Sequence, residues 1–220
     1  MRRVLVLRPE PGATATVARA RELGLEAVSI PLFEIAAIPW TAPDAAPFDA
    51  LLLTSPNAVR HGGPELRKLG DLPAYVVGEA TAEAAREAGL RIAGTGDAGV
   101  DRLLGMIPPD LTLLHLCGED RKVPWSPRHA ITPVTVYRAI EIPEPEVGPF
   151  SGVALIHSPR AGRRFAELVE DRGGIAIAAI SPAAAEAVGD GWDTVETASA
   201  PTDEALLALA ARLCNKPATQ

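Results

Sequence analysis

The sequence predicts an α/β fold built from parallel sheets, on the basis of three features. Continuous apolar runs such as Val4–Leu7 are typical of strands buried on both faces. They alternate with helical patterns such as "ATATVARARELG", and this alternation favours parallel sheets with right-handed crossovers. The third feature is a strand-to-helix corner that occurs twice, as "LLLTSPNAV" at 51–59 and "ALIHSPRAG" at 154–162.

The remaining elements follow in order along the chain. The first helix ends near Gly24, a typical C-terminal cap, and "LEAVSIPLFEIAAIP" predicts a long extended segment interrupted by Pro31 and ended by Pro39. The other predicted strands are "ALLLT", "AYVVG", a short one at 91–93, "LTLLHLC", "VTVYRAIEI", "GVALIH" and "IAIAAI". The other predicted helices are one from 56, "EATAEAAREAG", "GVDRLLGMI", 159–172, 182–188 and "TDEALLALAARL".

Composition excludes or disfavours several classes of protein. The 220 residues are 47% hydrophobic, which is enough for a packed core, and the formal net charge of −7 without a basic run disfavours a nucleic-acid partner. No apolar run approaches the about 18 residues that a membrane span needs, and the first run is too short for a signal peptide. The two cysteines provide no disulfide framework, which favours the cytoplasm.

The repeated corner belongs to a longer internal repeat with one ungapped offset of 103 positions. The aligned pairs are Ser55 with Ser158, Pro56 with Pro159, Gly78 with Ser181, 80–84 with 183–187, and 103–104 with 206–207. "VLVLRP…LEAVSIPLFEIAAIP" and "LTLLHLC…VTVYRAIEIPEP" form a second, weaker pair. The repeats therefore predict two similar α/β units. The units are either in tandem, or the second is inserted into the first with chain crossings at 35–40 and 137–143.

The Ser-Pro corners have two interpretations. Under either interpretation the serine caps a helix and the proline is the first residue of that helix, where the missing N–H of proline costs nothing. Ser181-Pro182 is a third corner of this kind, and Gly78 is a variant without serine. In the first, capping is the whole role. In the second, free amides at several helix starts bind an anion, which suits a ligand with several carboxylates or phosphates.

Other motifs are absent or weak. There is no P-loop, and "GTGDAG" lacks a strong strand before it, so it does not qualify as a dinucleotide fingerprint. His115 and Cys117 share a strand face without further ligands nearby, so no metal site is predicted. His129 and His157 have no visible partner and are expected to be packed or exposed.

The chain resembles the uroporphyrinogen-III synthase family from Val4 to about Leu213. The resemblance rests on the order of "VLRPEPGA", "PLFEI", "FDALLLTSPNAV", "YVVGEATAEAAREAG", "LHLCGED", "VTVYRA", "IHSPRA" and "PTDEALLALA". It implies two similar α/β domains joined by a two-stranded β linker, with the ligand cleft between them. It selects the inserted arrangement, with one domain at 1–37 plus 138–220 and the other at 38–137.

The resemblance also implies the chemistry. The substrate would be hydroxymethylbilane, a linear tetrapyrrole with eight carboxylates, and the ring would close with inversion of the last pyrrole to give uroporphyrinogen III. This is a cyclising lyase of haem biosynthesis that needs no metal and no organic cofactor. A cytoplasmic monomer is expected, with transient handover of substrate from hydroxymethylbilane synthase.

The resemblance carries site residues over to this chain. Tyr137 is the expected catalytic acid, although an aromatic side chain that only packs is an equally good interpretation of it. The expected substrate-binding residues are Arg8, Thr54, Ser55, Pro56, Gly78, Thr81, Gly118, Arg121, Lys122, Arg138, Ser158, Pro159, Arg160, Ser181 and Ala183. The family often has threonine where this chain has Ala183 and Ala184, so backbone N–H groups would make those contacts.

Two other functions fit parts of the pattern. A non-enzymatic bilobed protein that binds a polyanion would also have two similar lobes. A nucleotide-sugar transferase is disfavoured because no diphosphate site is visible. Turnover of hydroxymethylbilane distinguishes a uroporphyrinogen-III synthase from both of these alternatives.

Overall fold

The computed structural model describes residues 3–97, 99–120, 126 and 128–215. The chain divides into two compact units, which are called unit 1 (residues 1–34 and 141–220) and unit 2 (residues 35–140). The sequence-based boundaries, 37/38 and 137/138, each lie three residues from these. Strands and helices are numbered along the chain.

Unit 1 contains a five-stranded parallel sheet in the order β2-β1-β9-β10-β11. Its strands are β1 (Arg3–Val6), β2 (Ala27–Ser29), β9 (Gly152–Ile156), β10 (Ile175–Ala179) and β11 (Thr194–Thr197). Its helices are α1 (Gly12–Glu22), α6 (Pro159–Leu168), α7 (Pro182–Glu186) and α8 (Asp203–Cys214). Helices α1 and α8 share one core cluster with β1, β9 and β10, so the apolar residues of the central strands are buried as predicted.

Unit 2 carries a six-stranded sheet in the order β3-β8-β7-β4-β5-β6. Its strands are β3 (Phe33–Ala37), β4 (Ala50–Leu53), β5 (Ala74–Val77), β6 (Ile92–Gly96), β7 (Thr112–Gly118) and β8 (Ala130–Glu141). Its helices are α2 (Pro56–Arg60), α3 (Gly63–Arg67), α4 (Glu79–Glu87) and α5 (Val100–Met106). The pairs from β8 to β6 are parallel, and every residue of β4 is buried.

The two sheets repeat one strand order, in agreement with the two similar units that the sequence predicts. Strands β8-β7-β4-β5-β6 of unit 2 correspond one by one to β2-β1-β9-β10-β11 of unit 1, and β3 is the additional edge strand. The predicted α/β class with parallel sheets is therefore confirmed. The chain passes between the units within β3 and β8, which are neighbours in the six-stranded sheet.

Each sheet has one topological switch point, where successive connections leave in opposite directions. In unit 1 the chain goes from β1 outward to β2 and from β9 outward to β10, so the switch lies between β1 and β9. In unit 2 the switch lies between β7 and β4 for the same reason. The carboxyl ends of strands beside such a point form a crevice, which is where open α/β sheets bind ligands.

Some elements differ from the sequence-based expectation. Strand β11 was not predicted, because Thr194–Thr197 is short and its side chains alternate between half-buried and exposed. The helix expected from Pro56 is two short helices, separated at His61 and Gly62. Strand β6 extends through Gly96, three residues beyond the predicted short strand, so it includes the first three residues of the "GTGDAG" segment.

Candidate active site

A cavity of about 340 Å³ lies at the switch point of unit 2. Its walls come from the carboxyl ends of β4, β5 and β7, the start of α5, and β8. The lining residues are Thr54, Ser55, Val77, Gly99, Val100, Cys117, Gly118, Asp120 and Tyr137. The cavity therefore brings together four of the sequence-predicted site residues: Thr54, Ser55, Gly118 and Tyr137.

Ser55 and Pro56 form the predicted corner after β4. The extended backbone of Ser55 makes it the N-cap of α2, and its Oγ accepts a hydrogen bond from the Asn57 backbone N–H at 3.2 Å. Pro56 has no N–H to satisfy at the first helical position. The corner holds the Ser55 hydroxyl at the cavity wall.

A β-bulge determines the position of Tyr137. Cys117 of β7 pairs with Thr135 of β8, but the next residue, Gly118, pairs with Tyr137, so Val136 is the additional residue. Val136 is fully buried, and Tyr137 packs against the same core cluster. Because a bulge changes the direction of the side chain that follows it, the shift brings the phenol to the cavity.

Gly118 supplies the space that the phenol occupies. A Cβ at this position would lie 2.7 Å from Cζ, 2.8 Å from Cε2 and 2.9 Å from Oη of Tyr137. No side chain fits at these distances, since non-bonded carbon atoms rest about 3.5–4.0 Å apart. The ring of Tyr137 therefore lies directly on the backbone at the end of β7.

Burial raises the pKa of Tyr137 above its ordinary value of 10.0, and a side-chain hydrogen bond with Ser55 opposes this rise. The thiol of Cys117 and the carboxylate of Asp120 raise the pKa further. The phenol consequently holds its proton at neutral pH, and it can donate that proton in a hydrogen bond or transfer it.

Two histidines lie next to residues that line this cavity. The His61 ring lies 6.3 Å from the Tyr137 ring, centroid to centroid, and burial together with the charge of Arg60 lowers its pKa below 6.5. His61 is therefore neutral at pH 7. His115 is buried in β7, and its Nε2 lies 3.1 Å from Oγ1 of Thr54, which orients that hydroxyl.

A second polar cluster lies at the switch point of unit 1. It consists of Arg8, Thr16, Arg19, His157 and Asp203 and is called the Asp203 cluster. Oδ1 of Asp203 lies 2.9 Å from Nε2 of His157 and 2.9 Å from Oγ1 of Thr16. Its Oδ2 accepts from Nε of Arg19 at 2.9 Å and from Nη2 at 2.6 Å, and Nη1 of Arg8 lies 3.4 Å from Oδ1.

The protonation states in the Asp203 cluster follow from burial and hydrogen bonding. Burial alone would raise the pKa of Asp203, but hydrogen bonds from His157, Arg19 and Thr16 outweigh it and hold the pKa well below the usual range. Burial lowers the pKa of His157 despite its bond to Asp203. An ionised carboxylate only accepts, so the neutral His157 ring carries its proton on Nε2.

The other two serine corners repeat the geometry of Ser55. Ser158 caps α6 and accepts from the Ala161 N–H at 3.1 Å, and Ser181 caps α7 and accepts from the Ala184 N–H at 3.3 Å. Both prolines that follow take the first helical position. Each serine thus occupies one first-turn amide, so fewer amides remain for an anion than the sequence suggested.

The comparisons with known proteins point to one family. A family model described as uroporphyrinogen-III synthase HemD matches residues 14–124, half of the 220-residue chain. The chain belongs to the uroporphyrinogen-III synthase family. Members of this family are cyclising lyases of haem biosynthesis that act on a tetrapyrrole, and the protein is an enzyme of this kind.

Solved structures of the uroporphyrinogen-III synthase family share this fold. The enzyme from Helicobacter pylori 26695 matches with a TM-score of 0.66 at 19% identity, over 97% of this chain and all of that one. A mutant enzyme from the extremely thermophilic bacterium Thermus thermophilus matches with a TM-score of 0.50 at 16% identity, over 98% of this chain and all of that one. A search of curated protein sequences gives no match.

The remaining predicted residues of unit 2 lie at or near the same sheet edge. Gly78 is the N-cap of α4 with φ of 80°, a conformation that favours glycine, and Thr81 is buried in the first turn of that helix. Arg138 follows Tyr137 on β8 and is exposed. Arg121 and Lys122, which the family resemblance also predicts, lie outside the described residues.

The predicted residues of unit 1 form a separate group. Arg160 lies in the first turn of α6, with its guanidinium 4.6 Å from the centroid of the Phe33 ring and 3.4 Å from a carboxylate oxygen of Glu141. Ala183 is exposed on α7, a helix of only five residues. Arg8 is part of the Asp203 cluster, with a third of its side chain exposed.

Two histidines for which the sequence showed no partner have one in the structure, and both side chains are packed, which is one of the two expected outcomes. His157 has a partner, Asp203, because the start of α8 lies beside the end of β9 in the folded chain. His129 is buried and hydrogen-bonds Oγ of Ser126 at 2.8 Å and the Pro108 carbonyl at 3.0 Å. Neither contact has a local sequence signal that identifies it.

Sequence reasoning also missed Thr16, Arg19 and Asp203 as a group. The segment "PTDEALLALA" did indicate that Asp203 starts a helix, and the spacing of Thr16 and Arg19 places them on one helix face. Nothing local linked the two helices. Within the described residues, no group of three or more His, Cys, Asp or Glu could hold a metal ion, and no helix could span a membrane.

Proposed function

We propose that the protein cyclises hydroxymethylbilane to uroporphyrinogen III with the phenol of Tyr137 as the acid that protonates the departing hydroxyl group. One observation supports this role above the others. The Tyr137 ring lies on Gly118 at the switch point of unit 2, in contact with a cavity of about 340 Å³. A proton donor at a ligand crevice is what the first step of this reaction requires.

The reaction consists of one ionisation followed by a rearrangement in which two carbon–carbon bonds form and one breaks. Tyr137 transfers its proton to the hydroxymethyl oxygen as the C–O bond breaks, and water leaves. The pyrrole carries the resulting positive charge until a pyrrole carbon of the last ring attacks. The attacking carbon is the one that already carries the bridge to the last ring, so a spiro intermediate forms, and the old bridge bond then breaks and passes the positive charge to the neighbouring pyrrole. The free α-carbon of the last ring bonds the released bridge carbon, which closes the macrocycle with that ring inverted. The proton that this carbon loses as the last pyrrole regains aromaticity restores the phenol. Protons therefore balance, with water as the only by-product.

The hydrogen bonds of Ser55 suit a proton donor at Tyr137. The Ser55 oxygen already accepts from the Asn57 N–H, so its own proton is available to donate to the phenol oxygen. That hydrogen bond stabilises the tyrosinate formed after proton transfer, which is why it lowers the pKa of Tyr137. The carboxylate of Asp120, at the same cavity, favours the positive charge that develops on the pyrroles.

Carboxylate binding is proposed for the cationic and amide-bearing residues predicted from the family resemblance. Arg8, Arg138 and Arg160 supply guanidinium groups, which bind carboxylates bidentately. The helix starts at Ser55, Ser158 and Ser181, together with Gly78, Thr81, Pro159, Ala183 and the backbone near Gly118, supply N–H and hydroxyl groups. Several contacts of this kind together orient a flexible substrate before it ionises.

Further expectations from the resemblance are also proposals. We propose that 1–37 with 138–220 and 38–137 act as the two domains of the enzyme, in agreement with the division of the chain into two compact units. We also propose that the enzyme is a cytoplasmic monomer that receives its substrate by transient handover from hydroxymethylbilane synthase.

The decisive experiment couples the purified protein to a source of hydroxymethylbilane and separates the product isomers by chromatography. The uncatalysed reaction gives the type I isomer, so the type III isomer reports the enzyme. In Tyr137→Phe the ring packing remains and only the hydroxyl is lost. The expected fall in type III formation is ~10²–10⁴-fold, the usual contribution of a general acid.

The chain offers a matched control in its only other tyrosine, Tyr75 of β5. Tyr75→Phe removes the same atom from the same unit but not from the lining of the cavity, so it should retain the parent rate. Only type I product from folded wild-type protein would refute the reaction. Parent activity in Tyr137→Phe would refute the role of Tyr137 as the acid but would not contradict the proposed reaction.

A further inference from the structure

The Asp203 cluster occupies the ligand crevice of unit 1 rather than an ordinary surface position. Arg8 follows the end of β1, and His157 follows the end of β9. These two strands flank the switch point. Charged residues at that place are positioned where parallel sheets bind ligands.

The charges within the cluster do not cancel. Arg8 and Arg19 each carry a positive charge, Asp203 carries one negative charge, and the lowered pKa of His157 keeps that ring neutral at pH 7. The cluster thus has an excess of one positive charge. An anion is the ligand that such an excess favours.

The contacts of Asp203 leave donors of Arg8 available. Arg19 binds Oδ2 through two nitrogen atoms at 2.9 and 2.6 Å, whereas Arg8 reaches Oδ1 and Thr16 Oγ1 only at 3.4 Å, both times from Nη1. A guanidinium has five N–H donors. Within the described part of the chain, no hydrogen bond uses Nε or Nη2 of Arg8, and its side chain is 33% exposed.

Gly12 provides the space that the guanidinium of Arg8 occupies. A Cβ at Gly12 would lie 2.6 Å from Nε, 2.9 Å from Cζ and 3.0 Å from Nη2 of Arg8. The guanidinium therefore lies directly on the first residue of α1. The absence of a side chain at residue 12 lets Arg8 adopt this position, while Thr16 and Asp203 orient it from the other end.

We infer that Asp203 is a positioning residue, which holds the guanidinium of Arg8 at the crevice of unit 1 in the orientation that the carboxylate contact assigned to Arg8 under the proposed function requires. The free N–H donors of Arg8 contact the carboxylate, and Asp203 holds the guanidinium at the crevice. Arg19 orients Asp203 and adds positive charge. This inference rests on the proposed function and extends it to residues outside the acid site.

The test measures binding without turnover. Uroporphyrin III, the stable oxidised form of the product, is titrated into wild-type protein and variants while its fluorescence is recorded. Arg8→Gln should weaken binding on the order of 10- to 100-fold, as expected for one charge-assisted carboxylate contact. In the coupled assay KM should rise by a similar factor with kcat almost unchanged, because a carboxylate that takes no part in the chemistry is bound equally in the ground state and the transition state.

Two further variants separate positioning from mere folding. Asp203→Asn should weaken binding less than Arg8→Gln, and the double variant should bind no more weakly than Arg8→Gln alone, because Asp203 acts through Arg8. Gly12→Ala should weaken binding by displacing the guanidinium. Arg8→Gln and Gly12→Ala remain decisive if Asp203→Asn does not fold.

The matched control is Arg212→Gln at the other end of α8. Arg212 forms an exposed ion pair with Glu196, so the substitution removes the same charge as Arg8→Gln, from the helix that carries Asp203. Binding should stay at the wild-type level. Wild-type binding by Arg8→Gln, or an equal loss in Arg212→Gln, would overturn the inference. Wild-type protein that makes only the type I isomer would instead overturn the proposed function, and the titration would still decide the role of Asp203.

Discussion

Gly118→Ala tests whether catalysis depends on the position of the Tyr137 phenol. The added methyl group would lie 2.7 Å from Cζ and 2.9 Å from Oη of Tyr137. Carbon atoms in contact rest about 3.5–4.0 Å apart, so the ring must move by roughly 1 Å. Gly118 lies at the end of β7, paired with β8, so the side chain of Tyr137 has to yield rather than the strand.

The expected magnitude follows from that displacement. A misplacement of about 1 Å can cost about 10²-fold in rate, so type III formation should fall by that order. The loss should not exceed that of Tyr137→Phe, because the acid is displaced and not removed. The overpacked cavity wall should also lower the free energy of unfolding by ~1–3 kcal/mol.

Gly105→Ala provides the control. Gly105 lies in α5 of the same unit, and a Cβ there meets no atom within 4 Å. Alanine in a helix interior is more stable than glycine by ~0.5–1 kcal/mol. This variant should therefore keep the parent rate and unfold at a slightly higher temperature.

The assay is isomer-resolved chromatography of the coupled reaction, with thermal unfolding recorded for each variant. The double variant Gly118→Ala/Tyr137→Phe should match Tyr137→Phe, because both changes act on one group. The parent rate in Gly118→Ala, or a much lower rate in the double variant than in Tyr137→Phe, would show that the reasoning about this contact is wrong.

Three further predictions concern single groups. An acid works only while it holds its proton, and the pKa of Tyr137 is raised, so the type III rate should decline only above about pH 10; a pH profile of Tyr137→Phe should lack this decline. The depressed pKa of Asp203 stabilises the fold above the unfolded value near ~4 and progressively less as pH falls below it; acid unfolding of Asp203→Asn should show a weaker dependence on pH in that range. Ser158→Ala removes one cap bond and should cost ~1 kcal/mol in urea unfolding, with type III formation within about threefold of wild type because backbone amides remain.

The serine corners show how much of the fold local sequence can predict. A Ser-Pro pair after an apolar run indicates an N-cap and the first helical position, and Ser55, Ser158 and Ser181 all cap helices. Capping joins residues two or three positions apart, so the information is contained in a few neighbouring residues. The internal offset of 103 likewise predicted two similar α/β units, and the two sheets have matching strand orders.

The candidate site was predicted only in part, and Tyr137 illustrates why. The residue type and its place on a long strand are visible in the sequence. Its contact with Gly118 depends on a shift in the pairing of β7 with β8, and register is decided by the partner strand and the face that becomes buried. Nothing in the sequence around Gly118 indicates that the ring of Tyr137 needs a glycine at this position.

The sequence determined the α/β class, the repeated corners and the family resemblance, because each depends on periodicity, capping or the order of motifs along the chain. Only the tertiary structure revealed the Asp203 cluster, in which Asp203 contacts residues 46, 184, 187 and 195 positions away. Such contacts depend on which strand ends lie together at one sheet edge. Strand order decides that, and no local pattern of residues contains the distances between groups so far apart in the chain.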